Sequence, residues 1–450
     1  MKWVVYNVLF ALAFPLMLPG FLLRMLRRGG YRARIGDRFG LYPRPIVGKF
    51  SLPGCPSSHD VRADIRRSKA NNGFVWIHAV SVGEVQVAGQ LMREWRKAEP
   101  EVRFCFSTTS STGWKMAERE VTDRDVLIYN PLDFPSFVKS ALRLVRPRAI
   151  ILTESEIWPV FIRKAKSYGI PLFLINARVS DRSAPRYAKA RWIFKDIFSC
   201  FTAIFAQSET DKARLLAAGA PESIVSVTGS FKFDVAHRNP VKEAELRNWI
   251  NPPAGSRILL GGSTWPGEDE ALLRIYTALV DQTVRQSDNQ AVPTLVLAPR
   301  HFEKADAVEA NIRKAGFACV RRSRGDANTQ PRSVFLADTT GELMGLYGIS
   351  DAVFVGKSLC EHGSQNMIEP CLCGKPTVVG PYTENFRPVM SDLQEGDAIV
   401  QVADEAELEK TILGWFADGD GGLGARAAAA VARRCGVVPK CVSSIREVLK

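Results

Sequence analysis

Apolar runs alternate with amphipathic segments in two successive sets, and this alternation restricts most strongly how the chain can fold. The runs of the first set lie at residues 74–78, 103–107, 149–153, 171–176, 203–207 and 224–229. Those of the second set lie at 257–261, 293–298, 333–337, 351–355, 376–379 and 398–402. Most neighbouring runs are separated by a segment long enough for a helix. Strict alternation of strand and helix is typical of an α/β protein, in which parallel sheets carry helices on both faces.

A break at residues 235–256, which contains His237-Arg-Asn-Pro and Asn251-Pro-Pro-Ala-Gly, separates the two sets. A chain of 450 residues is also too long for one typical core, and two domains of roughly 200 residues each are expected. We therefore predict two Rossmann-like domains, 50–235 and 256–430, joined by a linker at 236–255 and facing each other across a cleft. The amphipathic segment at 431–450 is predicted to form a C-terminal helix.

The N-terminal segment is predicted to be a membrane anchor. Residues 3–23 include no charged side chain, and about 20 apolar residues can span a bilayer. A group of arginines follows at once: Arg24, Arg27, Arg28, Arg32, Arg34 and Arg38. The positive-inside rule then places the rest of the chain in the cytoplasm, with a basic segment at 25–49 after the anchor at 1–24. Pro15 and Pro19 weaken a straight span, so a shallow helix in the membrane interface is the alternative.

The net charge of +13 favours partners that are anionic. No nucleic-acid-binding motif is present, which leaves anionic lipids of the inner membrane and phosphorylated ligands. The nine cysteines include no C-x-x-C pair, as expected for reduced thiols in the cytosol. Neither a Walker motif nor G-x-G-x-x-G occurs, which argues against a P-loop nucleotide site and against NAD.

Residues 75–84 combine an apolar run, a loop of small residues and a carboxylate, Glu84. Apolar residues with helical spacing follow, so Glu84 is expected where a buried strand turns into a helix. In an open α/β sheet this is the edge where ligands bind. A carboxylate there can accept a proton from a substrate hydroxyl. The alternative is that Glu84 only complements the dipole of the helix in its first turn.

Further polar residues follow other predicted strands. Glu154 is expected at the same edge as Glu84. Two carboxylates at one edge favour a site that transfers protons. The alternative is that both are exposed loop residues. Lys232, after the last strand of the first set, can neutralise a phosphate or carboxylate. Arg300 ends a strand of the second set, and its guanidinium group suits phosphate. The segment 366–369, Asn-Met-Ile-Glu, opens a helix, where a capping box is the alternative interpretation.

Taken together, these residues resemble the 3-deoxy-D-manno-octulosonic acid (Kdo) transferase family. The similarity is carried, in order along the chain, by the apolar N-terminus, Ser81-Val-Gly-Glu84 and segments 153–159, 176–178, 229–234, 299–300, 341–343 and 366–369. It implies a GT-B glycosyltransferase that needs neither cofactor nor metal. Such an enzyme moves Kdo, with inversion, from CMP-Kdo to the 6′-hydroxyl of the lipid A precursor, lipid IVA. This reaction belongs to lipopolysaccharide core biosynthesis and takes place at the cytoplasmic side of the inner membrane.

The resemblance also implies roles for individual residues. Glu84 corresponds to the catalytic base, and Glu154 and Lys232 correspond to residues that stabilise the transition state. The residues that match the nucleotide-sugar-binding segments are Pro299, Arg300, Gly341, Glu342, Leu343, Asn366, Met367, Ile368 and Glu369. At Gln365 the family usually has histidine, and the effect of this difference is left open.

Two other functions are compatible with the same features. One is a membrane-bound GT-B transferase that uses a UDP-sugar. The other is a non-catalytic protein that binds lipid phosphate, which would keep Arg300 and the basic surface without needing Glu84. Neither the number of Kdo residues transferred nor the oligomeric state follows from the sequence.

Overall fold

The chain divides into two compact units in a computed structural model that describes residues 2–28, 32–50, 60–70, 73–234, 238–286, 291–326 and 332–450. The first unit comprises Met1–Phe231 together with Gly436–Lys450, and the second comprises Lys232–Cys435. The predicted juxtamembrane segment, first domain and linker each include some residues outside the described ranges.

Within the described ranges, fourteen strands form the framework of the two units. In the first unit they are β1 (Val75–His78), β2 (Phe104–Thr108), β3 (Val126–Tyr129), β4 (Ala149–Thr153), β5 (Leu172–Ala177), β6 (Ala203–Ala206) and β7 (Val225–Val227). In the second unit they are β8 (Ile258–Thr264), β9 (Thr294–Pro299), β10 (Cys319–Arg321), β11 (Val334–Leu336), β12 (Ala352–Val355), β13 (Thr377–Val379) and β14 (Val400–Gln401). Every apolar run predicted to be a strand overlaps one.

The described strands of each unit form one parallel sheet of seven, which confirms the predicted α/β class. The first sheet has the order β3-β2-β1-β4-β5-β6-β7, and the second has β10-β11-β9-β8-β12-β13-β14. In the first sheet β1 pairs with β2 on one side and β4 on the other. In the second, β8 pairs with β9 and β12. The strand order reverses at these two positions, and open α/β sheets bind ligands at such a switch point.

The sequence prediction missed two strands, β3 and β10, and both lie at the edge of a sheet. β10 has only three residues, and β3 has four. An edge strand pairs on one side only and can be short, so it leaves a weaker pattern in the sequence than a central strand.

The helices connect successive strands and cover both faces of each sheet. Their bounds, in chain order, are α1 (Lys2–Arg28), α2 (Arg44–Lys49), α3 (Val61–Ala70), α4 (Val82–Ala98), α5 (Ser111–Ala117), α6 (Pro135–Val145), α7 (Pro159–Ser167), α8 (Ala184–Lys189), α9 (Arg191–Phe198), α10 (Glu209–Ala217), α11 (Pro240–Ile250), α12 (Glu268–Gln286), α13 (Ala305–Lys314), α14 (Leu343–Ile349), α15 (Ile368–Leu372), α16 (Arg387–Glu395), α17 (Glu405–Asp418), α18 (Leu423–Ala432) and α19 (Val437–Leu449). Short 3₁₀ turns add Arg32–Phe39, Glu222–Ile224, Phe231–Phe233, Phe302–Lys304, Arg322–Arg324 and Glu384–Phe386.

The predicted C-terminal helix begins later than expected. α18 ends at Ala432, and α19 begins only after Gly436, which has a left-handed backbone with φ +85°. Glycine takes this conformation without the steric cost of a side chain, and it therefore separates the two helices. The apolar side of α19 packs into the same core cluster as α4, the helix that carries Glu84. α19 thus supports one face of the first sheet.

The N-terminal helix α1 packs along the first unit through an aromatic face. Phe10 and Phe14 lie with their ring centroids 5.1 and 5.2 Å from that of Phe134. The Tyr6 hydroxyl donates to Asp133, whose carboxylate also accepts the first backbone N–H groups of α7. Within the described ranges, the structure contains no helix that combines the length and the apolar character needed to span a bilayer.

Two of the six arginines that follow the apolar N-terminal segment make contacts inside the first unit. Arg38 is buried, and its guanidinium group donates to the Thr109 carbonyl and lies 4.6 Å from the ring centroid of Tyr129. Arg34 pairs with the buried carboxylate of Asp37 at 2.7 Å. Arg38 is therefore enclosed by the fold, whereas the guanidinium group of Arg34 stays partly exposed. The side chains of the other four arginines lie outside the described part of the structure.

Candidate functional site

The two carboxylates singled out in the sequence lie at the switch point of the first sheet. β1 and β4 are neighbours there, and the chain leaves them in opposite directions. Glu84 lies in the first turn of α4, which follows β1, and Glu154 comes directly after β4. The structure thus brings both residues to the one edge where this fold binds ligands.

Glu84 is held by a dense set of hydrogen bonds. Its Oε1 accepts from the Ser81 hydroxyl at 2.9 Å and the Ser81 backbone at 3.4 Å, which closes a capping box. Its Oε2 accepts from the Val80 backbone at 3.1 Å and from the Thr153 hydroxyl at 2.9 Å. The side chain is only 8% exposed. The structural interpretation of Glu84 as a helix cap is therefore true, and its catalytic role stays a prediction.

The contact with Thr153 goes beyond a helix cap. The Thr153 hydroxyl lies 2.9 Å from Glu84 Oε2 and 3.0 Å from the carbonyl oxygen of His78, so it links the ends of β4 and β1. His78 is fully buried; its Nδ1 lies 2.9 Å from the Ser107 hydroxyl, and its Nε2 lies 3.6 Å from Glu156. Sequence reasoning assigned no role to Thr153 or His78, because their partners are distant in the chain.

Glu154 occupies a strained position. Its backbone has φ +50°, as does that of Asn176 at the end of the adjacent strand β5. Left-handed residues other than glycine cost energy and are concentrated at functional sites. The Glu154 carboxylate lies 3.4 Å from the Asn176 amide nitrogen and 3.7 Å from Nε of Arg178. The Asn176 amide oxygen in turn accepts from the Phe231 backbone at 3.1 Å, which fixes this geometry.

Lys232 lies in the 3₁₀ turn Phe231–Phe233 and belongs to the second compact unit. Its ammonium group lies 4.8 Å from the ring centroid of Phe386, which immediately precedes α16. An aromatic face attracts a cation but leaves its other sides able to contact an anion.

The predicted nucleotide-binding residues follow three strands of the second sheet. Pro299 ends β9, and the exposed Arg300 follows it, with its backbone N–H donating to the Thr264 carbonyl at the end of β8. Gly341 follows β11 with φ +82°. Within the described ranges of the second unit, no carboxylate forms an ion pair with Arg300, so its charge is available to a ligand.

Glu342 does not offer its carboxylate to a ligand. The carboxylate lies 2.9 Å from the Lys242 ammonium and 3.0 Å from the Arg322 guanidinium, and it also accepts from the Thr339 hydroxyl. Burial favours its neutral form, but the hydrogen bonds from these three partners outweigh burial and lower its pKa to about 2. A nucleotide bound at segment 341–343 would therefore contact mainly backbone atoms and the half-buried Leu343.

The segment 366–369 is only partly accessible. The side chains of Met367 and Ile368 are fully buried in the core. The Asn366 side chain accepts from the Ile368 backbone at 3.1 Å and donates to Glu369 at 3.0 Å. Burial raises the pKa of Glu369, against the opposing effect of the Asn366 hydrogen bond. Of the four residues, Asn366 and Glu369 are thus the ones whose side chains can contact a ligand.

Comparisons with known proteins show which family the chain is related to. Residues 33–235 match the model of the N-terminal domain of 3-deoxy-D-manno-octulosonic-acid transferases. The chain is 31% identical to the 3-deoxy-D-manno-octulosonic acid transferase of Haemophilus influenzae, over 90% of this chain and 89% of that protein. It is 34% identical to the Bordetella pertussis transferase of the same name, over 76% of this chain and 78% of that one.

The fold is similar to that of solved glycosyltransferases. A glycosyltransferase from Rickettsia africae superposes with a TM-score of 0.54 at 13% identity, over 84% of this chain and 99% of that one. At that identity the likeness concerns the GT-B-like fold alone. Because the sequence similarity extends over nearly the full length of both the chain and its relative, the chain belongs to the 3-deoxy-D-manno-octulosonic acid transferase family and is a glycosyltransferase.

Proposed function

We propose that the protein transfers Kdo from CMP-Kdo to the 6′-hydroxyl of the lipid A precursor, lipid IVA, with inversion at the anomeric carbon. The observation that carries this proposal is the position of Glu84. In a chain of the Kdo transferase family, a nearly buried carboxylate is fixed by four hydrogen-bond contacts at the switch point of the first sheet. Preorganisation of this kind is what a general base requires.

The chemistry follows from the residues in each unit. The Glu84 carboxylate accepts the proton of the acceptor hydroxyl while that oxygen forms a bond to the anomeric carbon of Kdo. The bond from this carbon to the phosphate oxygen of CMP breaks, and the electron pair leaves with CMP. Glu154 stabilises the positive charge that develops on the sugar in an oxocarbenium-like transition state. Lys232 and Arg300 neutralise the leaving phosphate, and this pair of cations supports a reaction without a metal ion.

The donor is the first point to test. Purified protein incubated with radiolabelled CMP-Kdo and lipid IVA is expected to form a Kdo-containing lipid and to release CMP. Parallel reactions with UDP-glucose and UDP-N-acetylglucosamine are expected to give no labelled lipid. The anomeric configuration of the product, determined by NMR, reports inversion. Transfer from a UDP-sugar alone, or binding without transfer from any donor, would favour one of the two alternative functions.

We further propose that α1 holds the protein at the cytoplasmic face of the inner membrane, where the lipid acceptor resides. Tyr6, Phe10 and Phe14 face the first unit, whereas Val8, Leu12 and Leu16 are exposed, Leu16 by 85%. Positions two residues apart differ by about 200° around a helix axis, so the three aromatic residues and the three exposed aliphatic residues lie on opposite faces of α1. An exposed apolar stripe on a helix fixed along its other side favours a helix lying in the interface.

Substitution of Leu12 and Leu16 by glutamate is expected to abolish co-sedimentation with vesicles of phosphatidylethanolamine and phosphatidylglycerol at high salt. Two charges would enter the apolar region, and salt already screens the basic residues. Transfer to a detergent-dispersed acceptor should persist, because neither residue contacts the core. The matched control is Leu41→Glu, an exposed leucine outside α1. If the double variant still sediments with vesicles at high salt, this stripe of α1 is not the membrane contact.

A further inference from the structure

A lysine in a strained conformation lies at the switch point of the second sheet. Lys357 follows β12 by two residues, and β12 pairs with β8 where the strand order reverses. Its backbone has φ +57°, in the left-handed region that favours glycine. Strain of this kind persists only where the surrounding structure enforces it, and an observed outlier then points to a function.

A fully buried carboxylate enforces the conformation of Lys357. Glu268, in the first turn of α12, accepts from the Lys357 backbone at 2.8 Å through one oxygen. The other oxygen accepts from the Ser358 and Leu359 backbones, both at 2.9 Å. The Lys357 carbonyl accepts in turn from Ser364 at 2.6 Å. The loop after β12 is thus fixed on both sides, with its lysine at the ligand-binding edge of the sheet.

The ammonium group of Lys357 lies beside an aromatic ring, that of Trp265. The distance from the ammonium group to the ring centroid is 4.8 Å, and the ring lies 5.0 Å from the ring of His301. Arg300, the neighbour of His301, is joined by its backbone to Thr264, the neighbour of Trp265. In the described part of the second unit, no carboxylate forms an ion pair with Lys357. Lys357 after β12 and Arg300 after β9 thus both belong to the carboxyl edge of this sheet, and neither has a carboxylate partner in the described part of the second unit.

We propose that Lys357 is an additional phosphate-binding residue of the nucleotide-sugar site, acting beside Arg300. A lysine ammonium is a point charge that can reach a phosphate oxygen from several directions, which complements the fixed fork of an arginine. Glu268 is the positioning residue, because it holds the Lys357 backbone without facing the ligand itself. This inference rests on the proposed use of CMP-Kdo as donor.

Calorimetric titration with CMP and with cytidine tests the proposal. Lys357→Met keeps an unbranched side chain, shorter by one atom, and removes its charge. CMP affinity should fall roughly 10- to 100-fold, as expected for loss of a charge-assisted hydrogen bond to phosphate. Cytidine lacks the phosphate, so its affinity should be unchanged. Lys410→Met, on the exposed side of α17, is the matched control and should bind CMP normally.

A second variant distinguishes function from folding. Lys357→Gly relieves the left-handed strain, so its Tm should equal or exceed that of the unaltered protein, while CMP affinity should fall as in Lys357→Met. Unchanged CMP affinity in both variants would overturn the role of Lys357 and leave the proposed donor intact. If the unaltered protein binds no CMP, the proposed donor and this inference fail together.

Discussion

Replacing Glu84 by glutamine is expected to lower kcat by about 10²- to 10⁴-fold, the usual contribution of a general base. Glutamine keeps the shape of the side chain but cannot accept a proton at neutral pH. Affinity for the donor should change little, because the donor segments lie on the second sheet. Single-turnover transfer to lipid IVA, together with CMP titration, measures the two effects separately.

The capping box adds a cost in stability to this variant. Each oxygen of Glu84 accepts from a backbone N–H group, that of Val80 or that of Ser81. The amide nitrogen of glutamine must therefore face one of these donors. We expect the free energy of unfolding to fall by about 1–2 kcal/mol. A fall of this size leaves most domains folded at 25 °C.

Ser81→Ala separates the two roles of this carboxylate. It removes the Ser81 hydroxyl, which donates to Glu84 Oε1 at 2.9 Å and accepts from the Glu84 backbone at 3.3 Å. Stability should fall by about 1 kcal/mol, as for other lost helix caps, while the base remains. If Ser81→Ala loses as much activity as Glu84→Gln, Glu84 is a structural residue. A Glu84→Gln enzyme that keeps more than about a tenth of normal turnover would likewise show that Glu84 is a structural residue. Glu154 would then be the next candidate for the general base.

Replacement of Lys232 by alanine is expected to lower kcat by about 10²- to 10³-fold, similar to the loss of one donor that stabilises a developing charge. The charge on the phosphate grows as the bond to Kdo breaks, so the effect should be larger on kcat than on KM. Lys232→Arg restores a cation and should recover part of the loss. The measurement is a steady-state comparison with CMP-Kdo as the varied substrate.

Phe386→Leu is the matched control for Lys232. It removes the ring that lies 4.8 Å from the ammonium group and leaves the charge in place. A cation–π contact contributes about 0.5–1 kcal/mol at an exposed site, so kcat should change by less than tenfold. A Lys232→Ala enzyme with a normal kcat and a raised KM would assign Lys232 to uniform binding of the donor.

The sequence was sufficient for the framework because strands and ligand-binding edges follow from local patterns. Apolar runs bounded by polar loops became buried strands, and their alternation with helices required parallel sheets. The ends of those strands then placed Glu84, Glu154 and Arg300 at the carboxyl edges. The edge strands β3 and β10 were missed because a strand that pairs on one side only can be short and weakly patterned.

The partners of the site residues were decided only by the tertiary structure. Glu84 accepts a hydrogen bond from Thr153, and Glu268 accepts one from the Lys357 backbone. Both contacts form because parallel pairing aligns strand ends that are far apart in the chain. The same holds for which face of α1 is covered, since the segment is apolar all round and only packing on Phe134 selects a face. A local sequence pattern indicates which secondary structure a residue prefers. A hydrogen bond between the ends of two strands at a switch point also depends on how all the strands of the sheet are aligned.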